Sequence, residues 1–269
     1  MIKNNPDRNP SRSASGVVAA IPNIFTLVNL FFGCMAIVFA LQTNTVLIYV
    51  NDEFNTSFNI PERLTWAAIC IMIAALADLL DGFIARLFRA TSLIGKQLDS
   101  LSDVVSFGVA PSVIVYQLLR FSFAREENGL DVSLLALAPA FVLSCAAAYR
   151  LAKFNLDDTQ EYFFKGLPVP AVGLLIASFP LILHFNTISN VNNLLINKWL
   201  LYGLVIVLSW LMISNLRMMS LKFSDFTIKN NTPKIILLAI AVIAAVFLQW
   251  VAVPVVFLFY ILLSYFTKK

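Results

Sequence analysis

One histidine and three cysteines in 269 residues leave little material for imidazole or thiolate chemistry. Cys34, Cys70 and Cys145 stand far apart, with neither the spacing of a zinc site nor that of a disulfide framework, and read as small buried apolar residues silent on redox compartment. His184 has no Ser or Cys beside it, which argues against a covalent intermediate formed through a nucleophile and histidine base. Charge is also scarce, at 13% of residues where a soluble domain carries about a quarter, and this excludes an ordinary soluble fold. No stretch alternates apolar and polar residues at a period of two, so a β-barrel is not expected. Internal repeats of useful strength are absent, which leaves an inverted-repeat transporter without direct support. There is no basic groove with aromatic platforms, and no nucleic-acid partner is expected.

Apolar residues are abundant instead, at 59%. A helix needs about 20 of them in succession to cross the hydrocarbon core of a bilayer. Eight candidate spans run approximately over 22–43, 64–88, 98–121, 133–155, 168–186, 197–216, 234–249 and 251–266. Helices are the expected solution in lipid because each satisfies its backbone polar groups internally. The fold class is therefore all-α, a polytopic membrane helical bundle of about eight transmembrane helices. The first apolar run is too long for a signal-peptide core and lacks a convincing cleavage site, so it reads as a retained helix.

The placement of lysine and arginine orients such a bundle. Lys3, Arg8, Arg12, Arg86, Arg89, Lys96, Arg150, Lys153, Lys165, Arg217, Lys222, Lys229, Lys234, Lys268 and Lys269 fall on one side, 15 of the 19. Arg63, Arg120, Arg125 and Lys198 fall on the other. The positive-inside rule makes the first side cytoplasmic, with both termini there, and the expected location is a bacterial inner membrane. The net charge of +4 is then a topological signal and a source of contacts to anionic headgroups. On this topology His184 lies near the opposite face and reads as structural.

Three parts follow along the chain: a polar N-terminal segment (1–20), a membrane domain (21–225) and a C-terminal transmembrane hairpin (226–269). The stretches from 44 to 63 and from Asn186 to Asn197 read as external loops. The hairpin turns near Trp250 and carries no charged residue between Lys234 and Lys268, so packing, dimer contact or lipid contact is its simplest role.

Against this background four carboxylates stand out. An acidic side chain within a membrane helix costs about 2.5–3.5 kcal/mol by insertion scales and is a functional-site candidate by default. ALADLLDGFIARLFRATSLIGKQLDSLSDVVSFG holds Asp78, Asp81, Asp99 and Asp103. The first two are three apart and the last two four apart, so each pair shares a helix face and the pairs can confront one another. Convergent carboxylates repel unless protonated or neutralised by metal, and oxygen ligands without His or Cys favour Mg²⁺, Mn²⁺ or Ca²⁺ over zinc. Gly82 and Gly95 allow close approach of a ligand or backbone, Arg86 offers planar donors to a phosphate, and Ser92 a hydroxyl. Carboxylates, divalent metal, arginine and glycine together point to phosphoryl chemistry. A cation-coupled transporter using the aspartates as an ion site is the rival from another class.

Written as spacing, D-x2-D-G-x2-A-R-x8-G-x3-D-x3-D runs from Asp78 through Gly82, Ala85, Arg86, Gly95 and Asp99 to Asp103. It resembles, without departure, the signature of the CDP-alcohol phosphotransferase family. The resemblance implies a six-helix core, two divalent ions (Mg²⁺ or Mn²⁺) on Asp78, Asp81 and Asp99, and Asp103 as general base that also approaches the metals. It further implies nucleotide contacts at Gly82, Arg86 and Ser92, with Gly95 beside them. IPNIFTLVN resembles the family's first-helix nucleotide motif, which adds Asn23, Thr26 and Asn29.

YRLAKFNLDDTQEYFFKGLPVPA resembles the phosphatidylserine synthase branch, with Lys153 departing from the arginine common there while keeping the charge. That likeness implies CDP-diacylglycerol and L-serine as substrates, with Arg150, Lys153, Asn155 and Lys165 on the acceptor side. Glycerol 3-phosphate or an inositol compound is the alternative acceptor. A homodimer in the lipid bilayer is implied as well.

Overall fold

The computed structural model describes residues 16–42, 62–88, 92–125, 132–156, 164–185, 189–219 and 228–266. The expected external loop at 44–63 lies outside these except for Glu62 and Arg63, which open α2 (Glu62–Leu87), and most of the polar N-terminal segment lies outside them too.

Among the described residues eight apolar helical runs recur where eight spans are expected. They are α1 (Gly16–Leu41), α2 (Glu62–Leu87), a composite third run, a composite fourth run, α7 (Val169–Phe185), α9 (Lys198–Ile213), α10 (Ile228–Leu248) and α11 (Ala252–Phe266). The third joins α3 (Leu93–Asp103) through a π-helical segment, Val104–Val109, to α4 (Ala110–Ala124). The fourth joins the single turn α5 (Leu134–Leu137) through a 3₁₀ turn to α6 (Val142–Leu156). Asn231–Phe266 is one apolar run of 36 residues in composition, yet Gln249–Val251 folds it back on itself, with Gln249 at φ 49°. The chain is therefore a polytopic helical membrane protein.

The third run is the most enclosed, with 72% of its apolar window buried. Phe107, Ile114, Leu118 and Leu119 from this run meet Ile176, Leu181 and Ile182 of α7 in the core. Small residues set the approach distances, as expected where lipid offers no hydrophobic drive between helices. A Cβ on Gly173 of α7 would stand 2.9 Å from Phe107 Cβ, and one on Gly33 of α1 would stand 2.8 Å from Ser106 Cα. Outward faces carry Leu79, Ile206, Val246 and Phe247, a lipid-facing pattern.

Two departures from an all-helical picture have local causes. Phe164–Lys165 (β1) pairs antiparallel with Arg217–Met218 (β2). Gly166, at φ 76°, then donates its backbone N–H to the Leu216 carbonyl at 2.8 Å, and Leu167 donates to Leu211 at 3.1 Å. Backbone groups between spans thereby find partners, and the α6–α7 connection is fastened to the end of α9. Part of the Asn-rich loop is itself helical, as α8 (Ser189–Leu195), and Asn197 then caps α9 by accepting from Trp199 and Leu200 N–H at 2.9 and 3.3 Å.

Candidate active site

The four aspartates sit on the final turns of α2 and along α3, and α1 packs against both helices. Thr26 and Asn29, three apart on α1, serve one pair each. The Thr26 hydroxyl donates to Asp81 Oδ2 at 2.8 Å, with the Pro22 carbonyl a longer partner at 3.2 Å. Asn29 Nδ2 donates to Asp103 Oδ1 at 3.1 Å. Ser106, in the π-helical segment just after Asp103, donates its hydroxyl to the Asn29 carbonyl at 3.0 Å. A π-turn shifts the register of a helix and is frequent at functional sites. Here it brings a side chain back to the helix that holds the base candidate.

Asp78, Asp99 and Asp103 each present a carboxylate oxygen, all within 4.8 Å of one another. Asp99 Oδ1 is buried without a hydrogen-bond partner. Three close carboxylates, one buried and two partly buried, repel one another. An orphaned oxygen in an all-oxygen donor set is what a hard divalent cation would satisfy, so the residues present fit Mg²⁺ or Mn²⁺. Asp81, held by Thr26, stands beside this trio and faces a cavity.

That cavity measures about 450 Å³ and lies against the carboxylates. It is lined by Asn23, Thr26, Asp81, Gly82, Ser92, Gly95 and Asp99, all expected from the sequence, and also by Pro22, Ala85 and Lys96. At Gly82 an added Cβ would meet nothing within 4 Å, whereas at Gly95 it would stand 2.9 Å from Asn23 Oδ1 and 3.0 Å from Ser92 Oγ. Ser92 caps α3 by accepting the Gly95 N–H at 2.9 Å, which leaves its hydroxyl proton for a ligand. Arg86 is exposed at the end of α2 and does not line the cavity.

On the other flank, Arg150 of α6 is 7% exposed, and its Nε is buried without an acceptor. It lies within electrostatic reach of Asp103 and of Tyr260 on α11. Lys153 donates to Asn215 Oδ1 at 2.7 Å. Asn155 donates to Ser100 Oγ at 2.8 Å, and its carbonyl accepts from Lys96 at 3.4 Å. The Lys165 backbone is paired within β1, and its side chain lies outside the described residues. Sequence reasoning used Lys96 only for topology, although its place directly after the motif's Gly95 was a signal. Tyr260 had no local signal at all.

The chain matches the family model for CDP-alcohol phosphatidyltransferase over residues 19–213. It is 33% identical over 216 residues to a CDP-diacylglycerol–serine O-phosphatidyltransferase of Helicobacter pylori, covering 77% of this chain and 75% of that protein. The enzyme of the same name from Bacillus subtilis is 32% identical over 126 residues, 45% of this chain and 66% of its own. An archaetidylserine synthase of Methanothermobacter thermautotrophicus is 30% identical over 172 residues, 63% of this chain and 61% of its own. With 195 of its residues matched, and with three of the signature aspartates convergent and two of the four lining one cavity, the chain belongs to the CDP-alcohol phosphatidyltransferase family.

Proposed function

We propose that the protein transfers the phosphatidyl group of CDP-diacylglycerol to the hydroxyl of L-serine, giving phosphatidylserine and CMP. The observation that carries this reading is the convergence of Asp78, Asp99 and Asp103 beside a cavity that Asp81 and Asp99 line, with a buried Arg150 in electrostatic reach of Asp103. A guanidinium with an unpaired N–H suits a carboxylate-bearing acceptor, and relatives whose names specify serine support the choice. The site contains no Ser or Cys with a histidine base, so direct displacement fits better than a covalent intermediate.

In this mechanism the nucleotide end of the donor occupies the cavity of Asn23, Thr26, Gly82, Ser92 and Gly95, where the bare glycines admit the pyrophosphate closely. Arg150 orients the acceptor's carboxylate. Asp103, turned by Asn29, accepts the proton as the serine oxygen bonds to the phosphatidyl phosphorus and the bond to CMP breaks with its electron pair. Asp78, Asp99 and Asp103 would hold divalent metal, with Asp81 as a further ligand for a second ion. When bound, such ions neutralise charge on the pyrophosphate and on the departing CMP.

The catalytic unit in this reading is residues 21–225, with 226–269 an appended hairpin. Its active site and both termini face the cytoplasm of a bacterial inner membrane, a placement supported by the lysine and arginine distribution. The protein works as a homodimer.

Purified protein given CDP-diacylglycerol, serine and Mg²⁺ or Mn²⁺ is expected to release CMP, and to stop when any one is omitted. Release with glycerol 3-phosphate or an inositol compound, and none with serine, overturns the acceptor. Cation flux in liposomes without nucleotide turnover overturns the whole reading.

A further inference from the structure

The cavity is acidic where it meets the carboxylates, with Asp81 and Asp99 both lining it. A donor that enters brings a pyrophosphate, which such a wall repels unless positive charge stands nearby. Arg86, the cation that the sequence motif offers for that task, is exposed at the end of α2 and outside the lining. Among the described residues that do line the cavity, Lys96 is the one cation.

Lys96 lies on α3 four residues after Ser92 and three before Asp99, and all three line the cavity. That spacing puts them on one helix face. The face runs from a hydroxyl through an ammonium to the carboxylates, and it ends at Asp103, seven residues or about 10 Å of helix rise beyond Lys96. The phosphorus that the acceptor attacks stands at the Asp103 end. At the level of Lys96, then, stands the phosphate that departs with CMP.

The ammonium is placed by α6. Lys96 Nζ donates to the Asn155 carbonyl at 3.4 Å, while the Asn155 side chain donates to Ser100 Oγ at 2.8 Å. Ser100 donates in turn to the Lys96 carbonyl at 3.2 Å. Asn155 is thereby fastened one turn along α3 from Lys96, and its carbonyl stands at a set height beside the cavity. The bond to that carbonyl is longer than usual, and an ammonium has three donors. A charged phosphate oxygen competes well against a carbonyl held so loosely.

We infer that Lys96 is a donor-binding residue that holds the phosphate leaving with CMP, and that Asn155 sets where its ammonium stands. This rests on the reading of the cavity as the place of the donor's nucleotide end. As the bond to the phosphatidyl phosphorus breaks, the ammonium meets the negative charge gathering on CMP.

The test is calorimetric binding of CMP to the full-length purified protein with Mg²⁺ and no acceptor, alongside steady-state CMP release with serine. Lys96→Met is expected to weaken CMP binding and raise the CDP-diacylglycerol KM about five- to thirtyfold, with the serine KM changed less than about twofold. Lys96→Arg keeps the charge and should stay within about threefold of wild type. Ser100→Ala loosens the fastening but keeps the ammonium, so CMP binding should fall less than about threefold. Lys96→Gln replaces Lys96→Met if the latter does not elute as folded protein. Unchanged CMP binding in the folded Lys96 variant overturns the inference, as does a loss confined to the serine KM. Equal losses in Ser100→Ala and Lys96→Met also overturn it, because contact between α3 and α6 would then be the cause. No CMP binding by wild type overturns the donor reading of the cavity, and this inference with it. CMP binding that depends on Lys96 sustains the inference whichever alcohol proves to be the acceptor.

Discussion

Asn29 donates its side-chain amide to Asp103 across 3.1 Å, from the first membrane helix to the third. One carboxylate oxygen is thereby engaged and the ring of possible orientations is cut down, while Ser106 holds the Asn29 backbone in turn. Asn29→Ala is expected to lower kcat about 10- to 100-fold, the usual effect of losing a partner that orients a ligand or base. Donor binding measured by CDP-diacylglycerol titration should change little. Equal losses in both would show that Asn29 acts on the nucleotide instead.

Asp103→Asn removes the proton acceptor while keeping the shape of the side chain. Turnover is expected to fall about 10²- to 10⁴-fold, with donor binding retained. Asp78→Asn should lose divalent-dependent donor binding as well. Near-normal CMP release by Asp103→Asn would refute its assignment as base.

Chelation offers an independent measure of the carboxylate trio. EDTA is expected to abolish CMP release and added Mg²⁺ or Mn²⁺ to restore it, because Asp78, Asp99 and Asp103 bring carboxylate oxygens within 4.8 Å of one another. Full activity after exhaustive chelation would show that the trio works without metal.

The two glycines of the cavity should respond differently to alanine. At Gly82 the new methyl meets no protein atom within 4 Å, so thermal unfolding in detergent should be unchanged, and a raised donor KM would report the ligand itself. At Gly95 it crowds Asn23 and Ser92, so Gly95→Ala should both lower the melting temperature and raise the donor KM.

Gly173→Ala tests packing remote from the chemistry. Its methyl would stand 2.9 Å from Phe107 Cβ and 3.0 Å from Phe107 Cα, so the helices must separate. A loss of about 1–3 kcal/mol is expected, read as a lower melting temperature with near-normal activity of the folded fraction.

Much of this was legible beforehand because membrane solvation writes itself into composition. A helix in lipid needs a long apolar run, and eight such runs are visible by eye. Charge at depth is costly, so Asp78, Asp81, Asp99 and Asp103 are conspicuous, and their spacing of three and four places each pair on one helix face. Asn23 came from the likeness of IPNIFTLVN to the family's first-helix motif, and Ser92 was expected as a hydroxyl donor, whereas its capping of α3 emerged only from the structure. By contrast, the β1–β2 ladder pairs residues more than fifty positions apart, and α8 forms from a polar stretch that composition marks as a loop.

The sequence by itself determined that the chain crosses a membrane and that four carboxylates lie in pairs on helix faces at depth, since both follow from the cost of polar groups in lipid and from the helical period. Only the tertiary structure decided which partner each aspartate has. It gave Asp81 to Thr26 and Asp103 to Asn29, and it buried Arg150 of α6 in electrostatic reach of Asp103. Such pairings depend on how helices cross and how closely glycines let them approach, a relation among distant segments that no local pattern encodes.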